Sequence, residues 1–157
     1  DVYGDGNAIL PGINDWGGVF IEPGGVANLE HFDWSYSLDG LFMQGGDLTM
    51  DYGHGFLNDR RNLYANSGGN DVVVTNSEFS NSSYGVAQGA GDLYVSGSSI
   101  HSNSIGLEGS PAYITDAANN WWGDASGPFN ATTHPTGQGN RVTDDVIYTP
   151  FLTSNPL

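Results

Sequence analysis

Few residues in this chain could do acid–base or metal-assisted chemistry. Arg60, Arg61 and Arg141 are its only permanently charged cations. The Arg60-Arg61 pair follows Asp59 directly and lies about one repeat after Asp39. Beside carboxylate-held calcium, such a pair could supply the base of a polysaccharide lyase, removing a uronate proton that the metal acidifies. Asp33, Asp51 and Glu78 form a second group, with His31 and His54 close by in sequence. Asp33 with Asp51, or Asp51 with Glu78, could be the paired carboxylates of a glycoside hydrolase. Asp47, Asp71 and Asp92 form a third group at turn exits, where calcium could bridge successive carboxylates.

Each group also has a plainer structural reading. Arg60 and Arg61 read as loop cations balanced by nearby acids, worth little each where exposed. The Asp47–Asp71–Asp92 spacing is uneven, 24 then 21 residues, which argues against a regular ion ladder and for turn-capping Asp. The four histidines, His31, His54, His101 and His134, share no spacing and do not define a metal site. There is no cysteine, no Ser-centred nucleophile elbow and no Gly-rich phosphate loop. The sequence therefore leans away from an enzyme and assigns no catalytic residue. Arg60, Arg61, Asp33 and Asp51 are the set to consider if the chain is one, and no cofactor is expected beyond the option of calcium.

The elements that must carry these residues are set by a repeat. The segments Gly18–Glu22, Gly40–Gln44, Asn62–Asn66 and Tyr84–Gln88 align at a step of 22 residues, placing Glu22, Gln44, Asn66 and Gln88 in one column. A second apolar run follows in each unit: Val26-Ala27-Asn28, Leu48-Thr49-Met50, Val72-Val73-Val74, Leu93-Tyr94-Val95 and Ala112-Tyr113-Ile114. Trp34, Phe56, Phe79 and Ile100 make a third column, with Tyr36, Asn58, Asn81 and Asn103 two places on. Three short strands per unit, separated by Gly, Asn and Ser turns, are what a parallel β-helix requires. The sequence predicts an all-β chain: one right-handed parallel β-helix of about five ~22-residue coils, stacked to roughly 24 Å. Residues 1–15 form an N-terminal segment or cap, 16–118 the coils and 119–157 a closing cap.

Strand alternation then separates inside from outside. With Val19, Leu41 and Leu63 inward, Phe20, Phe42 and Tyr64 point outward in one column. Three aromatics at coil spacing suit the apolar face of a sugar chain or a neighbouring protein. They are the best recognition surface the sequence offers. The Asn58–Asn81–Asn103 column reads as structural, its amides bonding along the coil axis and satisfying turn backbone.

Eighteen acidic residues against three basic ones give a net charge of −15. Such a surface repels nucleic acid and anionic lipid, and is a poor attractor for polyuronates. No apolar run is long enough for a membrane helix. Asp1–Asn7 has a calcium-loop flavour, but Tyr3 breaks the alternating oxygens and Gly12 stands where a bidentate Glu belongs. A turn leading to an N-terminal strand or cap is the better reading.

Two stretches carry a family resemblance. Asp15-Trp16-Gly17-Gly18-Val19 resembles the Trp-Gly-Gly-Ile opening of β-helix repeats in microbial surface proteins. Asn119-Asn120-Trp121-Trp122-Gly123-Asp124-Ala125-Ser126-Gly127-Pro128-Phe129, then Gly137–Val142 and Val146–Leu152, resembles the closing segment of right-handed parallel β-helix domains in secreted and adhesin-like proteins, within the pectate-lyase-like superfold. The resemblance implies an extracellular or cell-surface structural module whose partners are itself, neighbouring surface proteins or polysaccharide. The same architecture carries lyases and hydrolases, so a polysaccharide enzyme is the alternative. Trp121, Trp122, Phe129, Tyr148 and Phe151 read as a cover for the last core layer, with Pro128 and Pro150 blocking a further strand.

Overall fold

The computed structural model describes residues 12–68 and 71–157. Their regular structure is strand only, and every ladder between strands is parallel. The first coil contains β1 (Val19–Ile21), β2 (Val26–Glu30) and β3 (Asp33–Ser35). The second contains β4 (Asp39–Met43), β5 (Asp47–Asp51) and β6 (His54–Phe56). The third contains β7 (Arg61–Asn66), β8 (Val72–Thr75) and β9 (Glu78–Ser80). The fourth contains β10 (Tyr84–Ala90), β11 (Leu93–Ser96) and β12 (Ser99–His101).

Corresponding strands of successive coils pair, so β1-β4-β7-β10, β2-β5-β8-β11 and β3-β6-β9-β12 make the three walls of a parallel β-solenoid. The stack has about four turns rather than five. A fifth begins with β13 (Ile105–Glu108) and β14 (Thr115–Asp116), but its third wall holds only a bridge from Ser99 to Trp121.

The core follows from alternation. Leu41, Met43, Leu63, Ala65 and Val86 point inward from the first wall, Leu48, Met50, Val72, Val74, Leu93 and Val95 from the second. On the third wall the expected aromatic column is offset by one residue. Trp34 pairs with Gly55, Gly55 with Phe79 and Phe79 with Ile100, while Phe56 pairs with Ser35 and Ser80 on the outer side. The Trp34 indole needs the space: a Cβ at Gly55 would lie 2.5 Å from its Cζ2. Its Nε1 donates to the Asn62 carbonyl at 2.7 Å, so the buried ring is not left with an orphan donor.

Two further alignments shift. In the fourth coil Val86, not Gly85, opposes Leu63, and a register irregularity between Gln88 and Ala90 absorbs the extra residue. Gln88 therefore leaves the outward column of Glu22, Gln44 and Asn66 and is buried. It donates to the carbonyls of Gly91 (2.8 Å) and Ile114 (2.7 Å), and its Oε1 accepts from Ser110 N and the Thr115 hydroxyl. In the fifth unit Tyr113 and Ile114 are exposed, and the inward position belongs to Thr115, opposite Leu93.

Side chains tie the corners together across coils. At one corner Ser37 N donates to Asn58 Oδ1, Asn58 N to Ser82 Oγ, Ser82 N to Asn103 Oδ1 and Asn103 N to Asn140 Oδ1, at 3.0–3.1 Å. At another, Gly53 N donates to Ser77 Oγ, Ser77 N to Ser98 Oγ and Ser98 N to Asn120 Oδ1, at 2.8–3.0 Å. Each link satisfies an N–H that the turn removes from the strand ladders. Asn58 and Asn103 thus have the structural role expected of them, but Asn81 does not; Ser82 fills that rung and Asn81 is exposed. The residue before every rung but Asn140 turns left-handed, including Tyr52 and Leu57 at φ 53°. That conformation costs a bulky L-residue roughly 1–2 kcal/mol, and the stacked coils hold it.

The chain closes as a cap. β15 (Pro128–Phe129) and β16 (Gly139–Arg141) pair, Val142 bridges to Leu107 and Ile147 to Asp116. Trp122 is fully buried in the layer after Ile100; Tyr148 is buried, and Trp121, Phe129 and Phe151 are half-buried. At the other end, residues 1–11, with the calcium-like Asp1–Asn7 stretch, lie outside the described residues.

Candidate functional site

The outward aromatics of the first wall fall into register as expected. Phe20 opposes Phe42 and Phe42 opposes Tyr64, with ring centroids 5.4 and 4.8 Å apart. The rings do not make one flat strip. Phe20 and Phe42 are inclined by 33°, whereas Tyr64 turns edge-on to Phe42 at 68°. Phe20 is 46% exposed, and the other two are half-buried. The column continues through Ala87 to Glu108.

Arg61 explains the turned ring. Its guanidinium lies 4.0 Å above the Tyr64 centroid, a cation–π contact that covers one face. The same guanidinium is 3.6 Å from Asp39 Oδ1, and Arg60 Nη1 donates to Asp39 Oδ2 at 3.1 Å. One buried carboxylate is thus held between two arginines on the neighbouring coil. The pairing with nearby acid read from the sequence is present, with Asp39 as the partner of both, but Arg61 opens β7 and is largely buried rather than an exposed loop cation. The lyase arrangement calls for an arginine against two carboxylates, and here two arginines share one.

Asp33 and Asp51 are not brought together. Asp33 stands on the outer face of the third wall and Asp51 on that of the second. Asp51 accepts from Thr75 Oγ1 at 2.8 Å and Asn76 Nδ2 at 2.9 Å. Those bonds, Thr75 first, hold its carboxyl below the ordinary 3.8. A carboxylate kept ionised this way is a poor general acid.

The third wall carries an arrangement the sequence reading did not find. His54 Nδ1 faces Asp33 Oδ1 at 3.9 Å and its Nε2 faces Glu78 Oε1 at 3.6 Å, while His101 Nε2 lies 3.2 Å from the same Glu78 oxygen. Asp33, His54, Glu78 and His101 thus alternate acid and imidazole along four coils. Asp33, His54 and Glu78 are register partners, but His101 lies two residues past Ser99, the register partner of Glu78, so spacing alone did not reveal the row. Among the described residues, no three His, Asp or Glu side chains are grouped so as to hold a metal ion.

Asp47, Asp71 and Asp92 do stack, despite their uneven spacing. Each precedes the inward residue of its strand, Leu48, Val72 and Leu93, which are mutually paired. Burial, then the charges of Asp92, Asp71 and Asp116, raises the Tyr94 hydroxyl above its ordinary pKa. Asp92 Oδ1 accepts from Ile114 N at 2.9 Å, a bond to the next coil rather than the local turn cap expected of this column. Compared with protein-family models, curated proteins and solved structures, the chain matches none of them.

Proposed function

We propose that this chain is a non-catalytic structural and adhesive β-solenoid module of an extracellular or cell-surface protein, contacting polysaccharide through Phe20, Phe42 and Tyr64. The observation that carries the reading is the in-register aromatic column, whose outer member, Phe20, is 46% exposed on a chain of charge −15. Large aromatics are not needed on the outside of a solenoid for folding, and a row at coil spacing suits a repeating ligand. The closing segment's resemblance to secreted and adhesin-like β-helix domains supports the same placement. Neighbouring surface proteins, or further copies of the chain, are partners of the same kind.

The test is retention of the purified chain by a panel of neutral, basic and acidic polysaccharides, beside Phe20→Ala/Phe42→Ala. Retention by at least one polymer, weakened about tenfold or more in the variant, is the expected result. No retention by any polymer from folded protein overturns the polysaccharide contact.

A second reading, a small polysaccharide hydrolase, draws on the Asp33–His54–Glu78–His101 row. Carboxylates and imidazoles within 3.2–3.9 Å are groups able to exchange protons. New reducing ends that vanish in Glu78→Gln would establish it over the adhesive reading.

A further inference from the structure

Resting on the polysaccharide reading, we infer that the Phe20 end of the aromatic column takes a positively charged amino-sugar chain rather than a neutral or uronate one. The chain already shows how this column accommodates a cation. Arg61 places its guanidinium 4.0 Å over Tyr64 while a carboxylate, Asp39, lies 3.6 Å from it. An aromatic face and an acid together make the cation's seat.

An acid also stands by the column two coils earlier, here Glu22 just past β1 on the ring's own coil rather than on a neighbouring one, and among the described residues no arginine pairs with it. Phe20 and Glu22 are two residues apart and both outward and exposed, so ring and carboxylate share one face. Phe42 extends the apolar surface 5.4 Å along the column. The Gln44 amide reaches Glu22 at 3.1 Å in the orientation that satisfies both groups, which positions the carboxylate without neutralising it. Arg60 and Arg61 are engaged by Asp39, and Arg141 belongs to β16 in the cap. The chain contains no lysine, and residues 1–11 bring acids and no basic side chain. Among the described residues no arginine is left to occupy Phe20 and Glu22, and the net charge of −15 draws in polycations. A glucosamine unit offers both complements: an apolar sugar face for the ring and an ammonium for the carboxylate.

The test is calorimetric titration of the full chain, at a mildly acidic pH where the amines are charged, with glucosamine oligomers, their N-acetylated counterparts, oligogalacturonate and oligolysine. Glucosamine oligomers should bind about tenfold more tightly than the acetylated ones, with no binding of oligogalacturonate. Phe20→Ala and Glu22→Gln should each weaken binding about fivefold, and Glu30→Gln, an exposed acid on the second wall, should leave it unchanged. Equal binding of acetylated and free oligomers, still dependent on Phe20, overturns the amine preference and leaves the polysaccharide reading standing. Loss with Glu30→Gln equal to that with Glu22→Gln would reveal diffuse charge attraction and sink the site. Tighter, Phe20-dependent binding of oligolysine would reassign it to a basic peptide. Binding of none of the sugars removes both readings.

Discussion

Trp34 and Gly55 share one core position: the indole on the first coil fills the space that the missing side chain on the second leaves open. A Cβ at Gly55 would lie 2.5 Å from Trp34 Cζ2 and 2.6 Å from Cε2, and a Cβ at Gly40 would lie 2.3 Å from Nε1. One large ring between two glycines keeps the layer at native density without strain.

Gly55→Ala should therefore destabilise the solenoid by about 1–3 kcal/mol, although alanine is better suited than glycine to a strand interior. Pairing it with Trp34→Phe should recover part of the loss. Urea unfolding of the two singles and the double would show this as a favourable coupling energy. Additive losses would mean that the two residues do not compete for the same space.

The corner ladder separates two asparagines that look alike in sequence. Asn58→Ala removes the acceptor of Ser37 N and Oγ and the donor to Asn62 Oδ1. Asn62 Oδ1 keeps the Ser82 hydroxyl, so two buried groups are orphaned, and at roughly 1–3 kcal/mol each the loss should be about 2–6 kcal/mol. Asn81→Ala, on the exposed neighbouring position, should cost only about 1 kcal/mol, that of holding an alanine left-handed at φ 55°. The shift in denaturation midpoint reads both. Asn81 also opens the Asn81-Ser82-Ser83 sequon and is presented to solvent, whereas Asn130, of Asn130-Ala131-Thr132, is buried.

Asp39 and its two arginines should not respond equally. Asp39→Ala strands the guanidinium of the largely buried Arg61, at a cost of about 3 kcal/mol. Arg60→Ala should cost no more than about 1 kcal/mol, since half of that side chain is solvated. Arg61→Ala should also uncover the Tyr64 ring, visible as a change in tyrosine fluorescence.

Acid should weaken the second wall through Asp51. Thr75 first, then Asn76, lowers its carboxyl in the folded chain relative to the ordinary 3.8. A depressed folded pKa contributes stability that is fully present above the unfolded value and is lost as pH falls through the folded one. Asp124, held low by Ser126, acts in the same window. Stability in Asp51→Asn should accordingly fall less steeply than in wild type as pH drops below about 4. Parallel acid limbs in the two proteins would contradict this.

The repeat made the solenoid readable from sequence, because its causes are local. Alternation decides inside from outside within a strand, and Gly, Asn and Ser report the turns. Hence three walls, an inward Leu41–Leu63 line, an outward Phe20–Phe42–Tyr64 column and an aromatic cap all follow from the order of residues. Register between coils is another matter. Coil length varies, and one residue of slip exchanges core for surface. Only packing chose Gly55 over Phe56 beneath Trp34, Ser82 over Asn81 in the corner ladder, and the burial of Gln88. The same register joined Arg60 and Arg61 on Asp39 and lined up Asp33, His54 and Glu78, with the His101 side chain reaching back to Glu78. Those contacts join residues 21 or more positions apart, across coils, where the spacing of a single residue type carries no signal.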